Sequence, residues 1–79
     1  MLLARAFILL NTEIGSEDQV LQTLHSLPGV EEAYLVYGVY DLIANIYSDD
    51  MDTLKNVIMT KIRQLDHVRS TLTMIVIDD

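Results

Sequence analysis

The stretch Val-Tyr-Gly-Val-Tyr-Asp-Leu at residues 36–42 lies near the middle of the chain, with an apolar run on each side. Glycine adopts a positive φ at little cost, so Gly38 is predicted to be the tip of a tight hairpin that joins strand 30–37 to strand 40–48. Asp41 follows as an acid at the start of the second of these strands. A carboxylate there must be solvated, paired or ready to bind a ligand, because burying it alone is costly.

Two amphipathic helices are predicted, one on each side of this hairpin. Ser16 can cap the first helix, which ends firmly at Pro28-Gly29. Asp49-Asp50 opens the second helix as cap and dipole partner. The apolar residues that recur at helical spacing are Val20, Leu21, Leu24 and Leu27 in the first helix, and Leu54, Val57, Ile58, Ile62 and Leu65 in the second.

Strand candidates near the two ends of the chain complete the pattern. Residues 2–10 are apolar except for Arg5, and residues 68–77 alternate between two faces. The order β-α-β-β-α-β predicts an α+β, ferredoxin-like fold, with a four-stranded antiparallel sheet and two helices on one face. Three strands carry apolar residues on both faces, so the second face needs another layer. We expect a dimer packed through its sheets, as a dimeric alpha-beta barrel or sandwich.

The length of 79 residues corresponds to a single domain over residues 1–79. A chain this short buries only about 60–65% of its unfolded surface, so it needs additional support. The absence of cysteine excludes disulfides and thiolate metal sites, and His25 and His67 show no ligand spacing. We therefore predict no metal and no cofactor, and oligomerisation remains as the support.

The charge balance excludes some partners. Five basic residues against twelve acidic ones give a net charge of −7, which argues against direct binding to nucleic acid or to an anionic membrane. No apolar run approaches the roughly 18–20 residues of a membrane span, and the N-terminus lacks a basic region and a cleavage site. We expect a cytoplasmic protein.

Three motifs, in this order and spacing, point to a known family. They are Leu27-Pro28-Gly29-Val30 leading into Ala33-Tyr34, then Gly38-Val39-Tyr40-Asp41, then Val68-Arg69-Ser70-Thr71-Leu72-Thr73. With them, essentially all 79 residues resemble the effector-binding RAM domain (regulation of amino-acid metabolism) of the Lrp/AsnC transcriptional regulators. Full regulators carry an N-terminal helix-turn-helix domain. Here the first strand follows Met1 at once, so the chain resembles a stand-alone RAM module.

The resemblance implies an amino-acid-sensing domain whose dimers assemble into a larger ring, commonly four dimers, with the effector between dimers. It implies that Tyr37, Gly38, Tyr40 and Asp41 form one wall of the site, and that Ser70, Thr71 and Thr73 form another. Family members often carry a polar or acidic residue where this chain has Val39, so this site would prefer a different ligand, or none.

These residue types suit a free amino acid. Asp41 can accept hydrogen bonds from the ammonium group of the amino acid. Loop N–H groups and the hydroxyls of Ser70, Thr71 or Thr73 can donate to the carboxylate of the amino acid. The alternatives are structural. Asp41 could form an ion pair with Arg5 or Arg69, and the threonines could be present only because threonine is common in strands.

Two further functions stay open at this point. The chain could be a ligand-free assembly partner that hetero-oligomerises with full-length Lrp/AsnC regulators. It could also be a small ferredoxin-like enzyme, because the fold alone does not decide function. The predicted helix stripes are purely apolar and no nucleophile stands beside a base, so we assign no catalytic residue and predict no enzyme.

Overall fold

A computed structural model describes residues 4–77, and their elements follow the predicted order. The predicted start of the first strand at Leu2 lies outside these residues. The elements are β1 (Ala4–Thr12), α1 (Glu17–Ser26), β2 (Val30–Leu35), β3 (Leu42–Ser48), α2 (Met51–Val57), which continues into a π-helical turn (Ile58–Ile62), and β4 (Val68–Ile75).

The four strands form one antiparallel sheet in the order β2-β3-β1-β4. Ala6 of β1 lies opposite Ile46 of β3 and Ile75 of β4. The sheet is open, with β2 and β4 as its edges. This arrangement confirms the predicted ferredoxin-like fold and shows that one chain does not close a barrel.

Alternation along β1 decides which residues enter the core. Its even-numbered residues are buried and its odd-numbered residues are half-buried, because successive side chains point to opposite faces of a sheet. The helix stripes cover the first of these faces. The shared core is formed by Ala6, Ile8, Leu10, Leu42, Ala44 and Ile46 of the sheet with Val20, Leu24, Leu54, Ile58 and Ile62 of the helices.

The other face of the sheet, which we call the open face, lies away from the helices. Strand register assigns Phe7 and Leu9 to it, opposite Met74 and Leu72 of β4. Leu72 and Met74 are exposed, at 44% and 46% of their surface. The open face comprises Arg5, Phe7, Leu9, Asn11, Glu32, Tyr34, Ile43, Asn45, Tyr47, Ser70, Leu72 and Met74.

The two helices begin in different ways. Ser16 occupies the N-cap position of α1 as predicted, but its side chain makes no capping hydrogen bond. Asp50 caps α2 by accepting a hydrogen bond from the main-chain N–H of Thr53 at 2.7 Å. At the other end of α2, the N–H of Arg63 donates to the carbonyl of Ile58, which is the longer bond of a π-helical turn.

The tight hairpin at Gly38 is a wrong prediction. β2 ends at Leu35 and β3 begins at Leu42, so the connection is a loop of six residues, 36–41, and Gly38 does not have a positive φ. The physical reason lies at Asp41, whose main-chain N–H donates to the carbonyl of Leu10 in β1 at 2.9 Å. This bond ties the end of the loop to β1 and leaves β2 and β3 shorter than predicted.

No helix within residues 4–77 is long and apolar enough to cross a membrane.

Candidate functional site

Asp41 is held at the end of the sheet by β1. Its Oδ2 atom accepts a hydrogen bond from the main-chain N–H of Thr12 at 2.9 Å, and the Thr12 hydroxyl lies 3.5 Å away. Thr12 is buried, whereas Asp41 is partly exposed. The second carboxylate oxygen, Oδ1, accepts no hydrogen bond from the residues that the structure describes.

The predicted alternative of an ion pair for Asp41 is wrong. Within residues 4–77 neither Arg5 nor Arg69 pairs with it, and the ion pair that the structure shows joins His67 to Glu13. Arg5 instead donates from Nε to Oδ1 of Asn45 at 3.3 Å. Sequence reasoning missed Thr12 as the partner of Asp41, because 29 positions separate the two residues and only the sheet brings them together.

The other loop residues of the predicted site differ in their exposure to solvent. Tyr37 is fully exposed, Tyr40 is partly buried, and a Cβ added at Gly38 would have no heavy atom within 4 Å. The space beside Gly38 is therefore open among residues 4–77.

The predicted hydroxyl wall lies at the same end of the sheet, on β4. Leu10 of β1 lies opposite Thr71, and its carbonyl accepts the N–H of Asp41. β1 thus separates Asp41 from β4, which places the two backbones about 10 Å apart at the usual strand spacing. The loop wall and the β4 wall of one chain therefore lie on opposite sides of β1.

The three β4 residues do not share one surface. Thr71 and Thr73 are half-buried and lie on the helix side of the sheet, where Thr73 is opposite Ile8. Ser70 is on the open face, and its hydroxyl accepts a hydrogen bond from Nδ2 of Asn11 at 3.3 Å. The structure brings Ser70 and Thr71 to the end of the sheet that holds Asp41, and leaves Thr73 further along the strand.

A groove between β4 and the π-helical turn holds the two threonines. Its volume is about 390 Å³, and its walls include Thr71 and Thr73 together with the cationic residues Lys55 and Arg63. Its apolar wall is formed by Ile58, Met59, Leu72 and Ile75. Sequence reasoning missed this groove, because its residues come from the second helix and the last strand and meet only in the fold.

A polar network crosses the open face beside its apolar residues Phe7, Leu9, Ile43, Leu72 and Met74. Nδ2 of Asn45 donates to Oε1 of Glu32 at 3.2 Å, and the Tyr34 hydroxyl donates to Oε2 of Glu32 at 3.0 Å. These two hydrogen bonds, with the nearby charge of Arg5, hold the pKa of Glu32 below its ordinary value. The same carboxylate raises the pKa of Tyr34.

Comparison with known proteins identifies the family of this chain. The model of the Lrp/AsnC ligand-binding domain matches residues 5–79. The chain belongs to the Lrp/AsnC ligand-binding domain family. It is 36% identical over 59 residues to the regulatory protein AsnC of Escherichia coli, a match that covers 75% of this chain and 39% of AsnC. The chain spans about two fifths to half of the curated relatives it matches, which are transcriptional regulators.

Solved structures of other proteins have the same fold. A hypothetical protein of Pyrococcus horikoshii is 42% identical, with a TM-score of 0.89, and the match covers 96% of this chain and 92% of that one. A transcriptional regulator of Neisseria meningitidis, solved as a complex with L-Met, has a TM-score of 0.83, over 96% of this chain and 51% of that one. Its identity of 14% shows the common fold alone.

Proposed function

We propose that this Lrp/AsnC ligand-binding domain binds a free amino acid through Asp41, and that the bound effector controls how copies of the domain assemble in transcription regulation. The observation that carries the proposal is the carboxylate of Asp41, which is fixed by Thr12 on one oxygen and partly exposed. No ion pair with a Lys, Arg or His neutralises it among residues 4–77. A carboxylate that is positioned and left without a cation suits an ammonium group.

Recognition of the other half of an amino acid follows from the loop and from β4. Main-chain N–H groups of the loop beside Gly38, where a ligand has room, can donate to the carboxylate together with the hydroxyls of Ser70, Thr71 or Thr73. Such charge-assisted hydrogen bonds contribute about 1.5–3 kcal/mol each. Since β1 separates Asp41 from β4 within one chain, we propose that a neighbouring copy supplies the second wall.

Two surfaces support assembly. The apolar residues of the open face need a second layer, which a second copy of the sheet would supply as a dimer. At the end of the sheet near Asp41, the exposed side chains of Ile14, Tyr37 and Val39 would form contacts between dimers, in a ring of four dimers. An effector bound between dimers shifts this equilibrium only by the difference in its affinity for the two states.

The output of this assembly would reach DNA indirectly. A net charge of −7 opposes contact with phosphates, so we propose that full-length regulators of the same family carry the DNA-binding function in mixed assemblies in the cytoplasm. The apolar open face favours a second candidate function, in which the domain joins such assemblies without any ligand. We assign no enzymatic activity, in keeping with its relatives, which are transcriptional regulators.

A thermal-melt screen against the twenty common amino acids tests the proposal. A ligand that binds only the folded state stabilises it by about 2.7 kcal/mol at a hundredfold excess over its dissociation constant. We expect one or a few amino acids to raise the melting midpoint by several degrees. A flat screen, together with a full-length regulator that co-purifies, would replace amino-acid sensing by the ligand-free function.

The variant Asp41→Asn tests the role of the charge. Asparagine keeps an oxygen that can accept from the N–H of Thr12, so the loop should retain its position while the attraction for an ammonium group is lost. We expect affinity for the amino acid found in the screen to fall by at least tenfold in isothermal titration, because hydrogen bonds to charged groups contribute about 1.5–3 kcal/mol.

Asp49→Asn is the matched control for this variant. Asp49 is exposed just after β3, at the opposite end of that strand from Asp41. The Asp49→Asn variant should therefore bind the amino acid with the same affinity as the unmodified chain. Normal binding by Asp41→Asn would remove Asp41 from the site and direct attention to the groove with Lys55 and Arg63.

A further inference from the structure

The open face carries one cation and one anion among its twelve residues, and this pair is not joined directly. The guanidinium of Arg5 and the carboxylate of Glu32 form no ion pair, although both bond to Asn45 between them. Asn45 accepts from Arg5 on Oδ1 and donates to Glu32 from Nδ2. The amide of Asn45 therefore acts as a spacer between the two opposite charges.

Both charged groups are held in place before any partner arrives. The guanidinium of Arg5 lies over the rings of Phe7 and Tyr47, 4.8 and 5.2 Å from their centroids. Glu32 is fixed by Asn45 and by the hydroxyl of Tyr34. Side chains that are already ordered lose little entropy on binding, so a contact with them costs less.

Covering the open face would remove water from both charges. Arg5 uses Nε for Asn45, while its two terminal nitrogens have no hydrogen-bond partner within residues 4–77. No buried side-chain nitrogen or oxygen in that range lacks a partner, so these two nitrogens are exposed to solvent. Dehydrating them without a new partner would be costly.

We propose that Arg5 of one copy pairs with Glu32 of a second copy, and that this exchange sets the register and the choice of partner when two open faces meet. The proposal rests on the proposed dimer through that face. A two-fold axis that passes beside Asn45 places Arg5 of each copy opposite Glu32 of the other, so the pair forms twice. In a mixed dimer with a related chain that lacks Arg5 or Glu32, one charge of this chain would be buried without a partner. This cost disfavours such mixed dimers.

Charge reversal in separate chains tests the pairing. Arg5→Glu sets the introduced carboxylate against Glu32 across the interface, and Glu32→Arg sets two guanidinium groups against each other. We expect each variant alone to raise the dimer dissociation constant by at least about 30-fold, measured by sedimentation velocity. Mixing the two variants should restore a dimer, because each charge then meets its opposite in the other chain.

The mixture separates pairing between copies from pairing within one copy. If Arg5 and Glu32 interacted only within one chain, the repulsion would remain in every chain of the mixture. Mixing would then not restore the dimer, and this result would overturn the proposal. A single chain with both reversals would form dimers under either arrangement and reports that the face still folds. If the unmodified chain stays monomeric at high concentration, the proposed assembly itself fails, and this is a distinguishable result.

A second measurement covers the case in which a reversed charge prevents folding. The chain has no cysteine, so Arg5→Cys in one copy and Glu32→Cys in another introduce the only two thiols. We expect a short bis-maleimide to join these two chains when they are mixed, and Glu13→Cys, an exposed residue outside the open face, to remain unjoined to Arg5→Cys. Equal cross-linking of both mixtures, or of neither, would overturn the proposal.

Discussion

Gly29 shows how a single residue positions two strands. Its φ is +88°, and a Cβ there would lie 2.7 Å from the carbonyl oxygen of Tyr47. The close approach permits a hydrogen bond of 2.8 Å from the N–H of Tyr47 to the carbonyl of Gly29, which fixes the start of β2 against β3. A side chain at this position must move the backbone.

We predict that Gly29→Ala lowers the free energy of unfolding by about 1–3 kcal/mol, since both the left-handed conformation and the contact with Tyr47 oppose a Cβ. Urea denaturation measures the change. Gly38→Ala is the matched control, because Gly38 has no positive φ and open space around it, and its stability should be unchanged or slightly higher. Equal losses in both variants would contradict the role given to Gly29.

The two glycines also show what the sequence could predict at this scale. Pro28-Gly29 was correctly recognised as the end of α1. Gly38 was wrongly given the positive φ, because an apolar run on each side of a glycine favours a short hairpin when only local residues are considered. The hydrogen bonds of Asp41 to Leu10 and Thr12 decide the loop, and no local pattern predicts bonds across 29 positions or more.

At the scale of the element, α2 is stabilised by a charged cap. The main-chain and side-chain groups of Thr53 lower the pKa of Asp50 by hydrogen bonding to its carboxylate. A group whose pKa is lower in the folded state stabilises the fold above its ordinary pKa of 3.8, and this contribution is lost as pH falls through the folded-state value.

We therefore predict that Asp50→Ala lowers the melting midpoint at pH 7, and that the difference from the unmodified chain narrows as pH falls below about 4. Differential scanning calorimetry at a series of pH values measures both. Asp49→Ala serves as the control, because Asp49 is exposed and precedes the cap, and a similar loss in that variant would exclude a specific capping role.

The sequence predicted well the order of the elements and the face of the sheet on which each side chain lies. Alternation along β4 correctly separated Thr71, Thr73 and Ile75 from Ser70, Leu72 and Met74, because side-chain direction in a strand depends only on position. The stripe residues Ile58 and Ile62 were also correct, since both are buried. The π-helical turn that contains them was not predicted, because one extra residue per turn leaves no clear mark on an apolar stripe.

At the scale of the whole molecule, one face of the sheet is covered by the helices and the other face is uncovered. Two helices bury the even-numbered residues of β1, while the open face keeps exposed apolar side chains. A folded chain of 79 residues has a small core, so free energy from a second copy would be a large share of its stability. Folding and assembly should then be coupled, and the melting temperature should depend on concentration.

We predict that the melting midpoint rises with protein concentration, because dimer formation removes folded monomer from the unfolding equilibrium. Met74→Lys places a charge on the open face and should lower the midpoint and abolish this dependence, while circular dichroism still shows a folded chain. Met59→Lys is the matched control, since Met59 is equally a surface methionine, 54% exposed against 46% for Met74, but lies on the helical layer. Its midpoint should keep the concentration dependence of the unmodified chain. A dependence that survives in Met74→Lys and disappears in Met59→Lys would assign assembly to the helices instead of the open face.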